Sequence, residues 1–150
     1  MRKAPPGGAE GCVLVVDDEP SILDLTSELL EAEGYEVMAA ADGESALALL
    51  DKVRPDVLIL DIFLPGLDGF EICQNIQKDD RLRGMSVIFI SGGSREDLLD
   101  PVLRAGGLDY LTKPLEREPL IAVVREAVSR SRGGAQEPRA DMNAGAERSS

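Results

Sequence analysis

The stretch Val57-Leu58-Ile59-Leu60-Asp61-Ile62-Phe63-Leu64-Pro65-Gly66-Leu67-Asp68-Gly69 decides the fold. Its continuous apolar run reads as a buried strand, from Asp56 to Leu60, that ends on a carboxylate. Pro65-Gly66 is a turn signal, and Asp68-Gly69-Phe70-Glu71 resembles a capping box that opens a helix along Ile72, Cys73 and Ile76. A charge at the mouth of a hydrophobic strand is costly unless other groups partner it. The candidates elsewhere in the chain are Asp17, Asp18, Ser91 and Lys113.

Upstream, Cys12 to Val16 is an apolar, β-branched run that stops at Asp17-Asp18-Glu19-Pro20. Pro20 suits a first helical turn, and the acids before it favour a helix N-terminus. Ile22, Leu25 and Leu29 recur at helical spacing through Ala32, and Gly34 ends that helix. Glu36 to Ala41 is a second, weaker strand. Asp42 is a candidate cap for a helix with Ala46, Leu47 and Leu50 inward.

Downstream, Lys78 to Ser86 reads as a polar connection and Val87 to Ile90 as a fourth strand ending on Ser91-Gly92-Gly93. Ser94 with Asp97 is a candidate cap for a fourth helix that Pro101 should kink or shorten. Asp109 to Thr112 is a short fifth strand before Lys113-Pro114. Leu120 to Val128 carries the last amphipathic helix, with Pro119 expected in its first turn. Residues 1–11 read as a loose leader, 12–132 as the one domain, and 133–150 as a disordered tail.

Five strands alternating with five helices predict an α/β fold, a doubly wound parallel sheet with helices on both faces. Uninterrupted apolar runs in strands one, three and four fit burial on both sides. Sites in such sheets lie beyond the carboxyl ends of the strands. Those ends carry Asp17 and Asp18, Asp61, Ser91 and Lys113, so all should project onto one rim.

The composition narrows the classes. With 43% hydrophobic residues in 150, the chain can bury a core. A net charge of -12 argues against direct nucleic-acid binding. The chain has 2 Cys, Cys12 and Cys73, outside any Cys-x-x-Cys pair, and no His, so a soft metal site is excluded and both thiols read as small core residues of a reducing compartment. No apolar run reaches membrane-spanning length, and the expected location is the cytoplasm.

If strands one and three are neighbours, their ends lie roughly 5 Å apart and three carboxylates crowd together. At an effective dielectric of about 20, two such charges about 4 Å apart repel by about 4 kcal/mol. A divalent cation removes that penalty, and few all-oxygen ligands with room for water favour Mg²⁺. A carboxylate beside Mg²⁺ can attack phosphorus and carry the phosphoryl group. Mg²⁺, the Lys113 ammonium and the Ser91 hydroxyl would then each neutralise one equatorial oxygen. Taken singly, each residue has an ordinary explanation: a solvated helix start for Asp17-Asp18, a turn for Asp61, loop chemistry for Ser91. Their joint placement at four strand ends carries the argument.

At this point the sequence resembles the receiver domain of bacterial two-component response regulators. The resemblance rests on Val15-Val16-Asp17-Asp18-Glu19-Pro20, on Leu60-Asp61 with Leu64-Pro65-Gly66-Leu67-Asp68-Gly69, on Ile90-Ser91-Gly92 and on Tyr110-Leu111-Thr112-Lys113-Pro114-Leu115. It implies a flavodoxin-like sheet in the order 2-1-3-4-5 and phosphorylation of Asp61 by a sensor histidine kinase or histidine phosphotransfer protein; the expectation is a signalling module without an effector domain of its own, a stand-alone receiver or a phosphorelay intermediate. It further implies Mg²⁺ on Asp18, Asp61 and the Phe63 main-chain carbonyl, with Asp17 acting mostly through water. Ser91 and Tyr110 match the family's switch pair, which reshapes a surface for a downstream protein partner or a phosphorylation-dependent homodimer. Such a protein is a signalling phosphoacceptor rather than an enzyme. Ala105-Gly106-Gly107-Leu108-Asp109 and Pro101 depart from the family pattern, and Phe63 and Gly93 occupy positions that tune phosphate lifetime.

Three other readings compete. An aspartate-nucleophile phosphatase of the haloacid-dehalogenase type would want a second Asp where Phe63 stands. A receiver-like interaction module without phosphorylation would lack part of the Asp/Ser/Lys set. A nucleotide-binding flavodoxin-like protein would want glycines where the first strand ends on acids.

Overall fold

The computed structural model describes residues 10–92 and 98–133. The predicted leader and tail fall almost wholly outside those residues, as does the Ser94/Asp97 cap. Strands β1 (Gly11–Val16), β2 (Tyr35–Ala40), β3 (Val57–Asp61), β4 (Ser86–Ser91) and β5 (Asp109–Thr112) form one sheet. Its order is β2-β1-β3-β4-β5, and every pairing is parallel. The strands alternate with helices α1 (Pro20–Ala32), α2 (Gly43–Leu50), α3 (Gly69–Gln77), α4 (Leu99–Arg104) and α5 (Arg117–Gly133). This is the doubly wound, flavodoxin-like architecture the motif order implies.

Alternation along the strands assigns the faces. Val13, Val15, Val57, Ile59, Ile88 and Ile90 point one way and pack with Leu30 of α1 and with Leu120, Val124 and Ala127 of α5. Leu14, Val16, Leu58, Leu60, Val87 and Phe89 point the other way, onto Ala46 and Leu50 of α2, Ile72 and Ile76 of α3, and Val102 of α4. Full burial of one such side chain contributes about 1.5–3 kcal/mol, so the three central strands supply much of the driving force.

Local signals account for the boundaries. Pro20 opens α1, and Gly34 follows it with a φ of 97°, a conformation that suits glycine. The Asp42 carboxylate accepts the Ser45 N–H at 2.7 Å and caps α2. Asp68 caps α3 through the Phe70 N–H at 2.8 Å. Pro119 lies at the third position of α5, where no helical N–H partner is lost.

Three readings need correction. In α1 the buried residues are Thr26 and Leu30, while Leu25 is 36% exposed. The inner stripe is rotated from the Ile22–Leu25–Leu29 line because it also includes Leu23, Thr26 and Leu30. The connection after α3 is not merely polar: a short 3-10 turn, Asp80–Leu82, buries Leu82, and Met85 beyond it is buried as well. Helix α5 extends well past Val128, to Gly133. The acids before Pro20 stand where α1 begins, as expected; Glu19 is the N-cap residue, and its side chain makes no capping hydrogen bond. Pro101 behaves as expected, falling in the first turn of a helix only 6 residues long.

Candidate phosphoacceptor and metal site

Ladder register fixes the levels of the strand ends. Val16 pairs with Leu60, so Asp17 and Asp61 follow at the same height on neighbouring strands. Asp61 pairs with Ile90, so Ser91 comes one step later on the next strand, and Ser91 pairs with Thr112, so Lys113 follows on the last. Backbone hydrogen bonds carry the pairing past the strand ends: Asp17 N–H to the Ala40 carbonyl at 3.2 Å, Ile62 N–H to Ile90 at 3.0 Å, and Lys113 N–H to Ser91 at 2.9 Å. The peptide between Lys113 and Pro114 is cis.

Asp17, Asp18 and Asp61 each present one carboxylate oxygen, and these three atoms lie within 4.8 Å of one another. Asp17 is fully buried, Asp61 is 4% exposed, and Asp18 opens to solvent. The Asp17 Oδ1 accepts the Glu19 N–H at 2.9 Å, and the Asp61 Oδ1 accepts the Phe63 N–H at 3.0 Å. The second oxygens face the lysine: Lys113 Nζ is 3.2 Å from Asp17 Oδ2 and 3.4 Å from Asp61 Oδ2. Its shortest contact is with Glu19 Oε1, at 2.7 Å.

Burial pushes the Asp17 carboxyl above its ordinary range, and the negative charge of Asp61 adds to that, against the opposing Glu19 N–H and Lys113 ammonium. Burial works against the Lys113 ammonium, but the hydrogen bond to Glu19 and the close negative charges of Asp17 and Asp61 outweigh it and raise its pKa. The lysine is therefore held fully charged among acids.

The arrangement fits a hard divalent cation. Asp17 Oδ2 is a buried oxygen with no well-formed hydrogen bond: it lies near the ammonium, but off a hydrogen-bonding line. All the converging donors are carboxylate oxygens, which suit Mg²⁺ rather than a soft metal.

Ser91 is 1% exposed. Ser91 and Phe89 are two residues apart and share a sheet face, and Tyr110, opposite Phe89, packs half-buried on the core of that same face. Phe63, by contrast, is 70% exposed at the rim of the site. Gly69 lets the backbone close beneath Asp61: a Cβ there would meet the Asp61 carbonyl oxygen at 2.7 Å and Ile62 Cα at 2.9 Å. The sequence reading gave site roles to Asp17, Asp18, Asp61, Phe63, Ser91, Tyr110 and Lys113, but placed Glu19 only at the helix start and in the family motif. A signal was present, since Glu is outside the preferred N-cap residues, which leaves its carboxylate for another partner.

A parallel α/β sheet with acids from two adjacent strand ends, a lysine among them and a buried serine alongside is the plan of a receiver. Residues 13–125 match the family model for the response regulator receiver domain, and the chain belongs to that family. It is 38% identical over 120 residues to the DNA-binding dual master transcriptional regulator RpaA of Synechocystis, covering 79% of this chain and 49% of that protein. It is 42% identical over 121 residues to the transcriptional regulatory protein TrcR of Mycobacterium tuberculosis, covering 79% and 46%. The chain thus spans about half the length of these curated relatives. A high-resolution structure of the chemotaxis response regulator CheY4 of Vibrio cholerae superposes with a TM-score of 0.73 at 31% identity, covering 77% of this chain and 97% of that one. Among the described residues, no helix is long and apolar enough to cross a membrane.

Proposed function

We propose that Asp61 is the phosphoacceptor of this receiver, taking a phosphoryl group from a phosphohistidine of a sensor histidine kinase or a histidine phosphotransfer protein. The observation that carries the reading is the convergence of three carboxylate oxygens within 4.8 Å of one another beside a partly buried lysine. An Asp61 carboxylate oxygen forms the new bond to phosphorus as the donor's bond to phosphorus breaks, and the donor leaves with that electron pair. Asp17, Asp18 and Asp61, with the Phe63 main-chain carbonyl, would hold Mg²⁺. The bound ion neutralises charge on the crowded carboxylates and on the transferring group. Lys113 and the Ser91 hydroxyl hold the other phosphoryl oxygens. The chain assists its own phosphorylation and hydrolysis and otherwise acts as a signalling module.

The output follows from the sheet face that Ser91 shares with Tyr110. A serine drawn toward the phosphoryl group vacates space that the aromatic ring can enter, shifting the balance between two packings of α4, β5 and α5. Leu99 and Leu103 on α4 are 46% and 51% exposed, which supports a protein partner or a second copy on that surface.

Incubation with Mg²⁺ and acetyl phosphate, followed by intact mass, tests the assignment. One phosphoryl adduct is expected, lost in Asp61→Asn and in EDTA. An adduct that persists in Asp61→Asn would reject Asp61 as the acceptor, and none in the native protein would reject the reading altogether.

A further inference from the structure

The acid closest to Lys113 is not one of the three that converge for the cation. Lys113 Nζ lies 2.7 Å from Glu19 Oε1, against 3.4 Å from Asp61 Oδ2. The lysine side chain is 18% exposed and Glu19 55%, so the pair bridges the buried site and the solvent rim. The Glu19 side chain is free to do this because it makes no capping hydrogen bond to α1. Its main chain is tied separately, donating its N–H to Asp17 Oδ1 at 2.9 Å. The side chain can therefore change partner without releasing the metal-facing carboxylate.

We propose that Glu19 is a positioning residue for Lys113: it parks the ammonium at the rim and competes with the phosphoryl group for it. This rests on Asp61 being the phosphoacceptor. For the transferring group to be neutralised, the ammonium must leave a short contact with Glu19 for oxygens arriving above Asp61. The carboxylate then acts as a brake on phosphorylation, and it pulls the lysine back once the phosphoryl group is hydrolysed.

Glu19→Gln keeps the shape and removes the charge. At saturating Mg²⁺, the maximal rate of adduct formation from acetyl phosphate should rise by about two- to fivefold, the range a half-exposed ion pair supports. The concentration of acetyl phosphate giving half that rate should hold. Removing a negative charge from the rim could by itself favour an anionic donor, but that effect would lower the half-saturating concentration. In a Lys113→Met background, Glu19→Gln should leave the rate unaltered.

An unchanged or slower maximal rate in Glu19→Gln overturns the proposal. So does an equal acceleration with and without the lysine, or a gain confined to the half-saturating concentration. A native protein that forms no adduct would instead remove the Asp61 assignment, and this inference with it. A native protein that is phosphorylated at the same rate as Glu19→Gln removes this inference alone.

Discussion

Lys113→Met takes a positive charge from between two buried carboxylates while keeping most of the side-chain bulk. Asp17 and Asp61 have side-chain exposures of 0% and 5%, and the ammonium lies 3.2 and 3.4 Å from their oxygens. Removing one partner of a buried ion pair typically costs about 3–5 kcal/mol, because the other charge stays buried and unpaired. Asp18 and Glu19 open the site toward solvent, which places the expected loss at the lower end, about 3 kcal/mol in EDTA. The same lysine opposes a cation bound to the acids. Without it, Mg²⁺ should bind about tenfold more tightly, which returns about 1.4 kcal/mol at saturation. Urea titrations followed by circular dichroism, with EDTA and with saturating Mg²⁺, measure both terms. The variant should be clearly less stable in EDTA, and the gap should narrow by roughly half in Mg²⁺. A gap below about 1 kcal/mol in EDTA, or an equal gap in both buffers, would refute the claim that lysine and cation neutralise the same carboxylates.

The buried Asp17 carboxyl has a folded-state pKa above its unfolded value, so the native state binds a proton more readily than the unfolded chain. Its burial therefore weakens the metal-free fold at neutral pH, and the penalty is relieved as pH falls through the folded pKa; Asp17→Asn should stabilise the protein in EDTA at pH 7, with the advantage fading at low pH, and a destabilised variant at pH 7 would contradict this. Gly69→Ala forces a Cβ against the Asp61 and Ile62 backbone, with an expected cost of about 2 kcal/mol and slower adduct formation, read by melting and by intact mass; native stability would show that the backbone yields freely. The Cys73 thiol is fully buried and pushed up to about 11 by that burial, whereas Cys12 is partly exposed. Iodoacetamide on the native protein at pH 8 should label Cys12 well before Cys73, and peptide mapping that finds the reverse order would place Cys73 at the surface.

The sequence by itself determined the class of sheet and the side of it that matters. Unbroken apolar runs at Val13–Val16, Val57–Leu60 and Val87–Ile90 can be buried only between two helical layers, and the acids, serine and lysine that follow them must then emerge at one edge. Turn and cap chemistry at Pro20, Gly34, Asp42 and Asp68 was equally legible, because those residues act within a few positions of themselves. Helix orientation was less so: several residues compete for the inner stripe of α1, and the sheet against which it packs leaves Leu25 at the edge. Only the tertiary structure decided the equal heights of Asp17 and Asp61, through the pairing of Val16 with Leu60, and the allegiance of Lys113. Glu19 and Lys113 are 94 residues apart. Which carboxylate holds the ammonium depends on distances and solvent access set by three strands and a helix start together, and no local pattern of residue types encodes that competition.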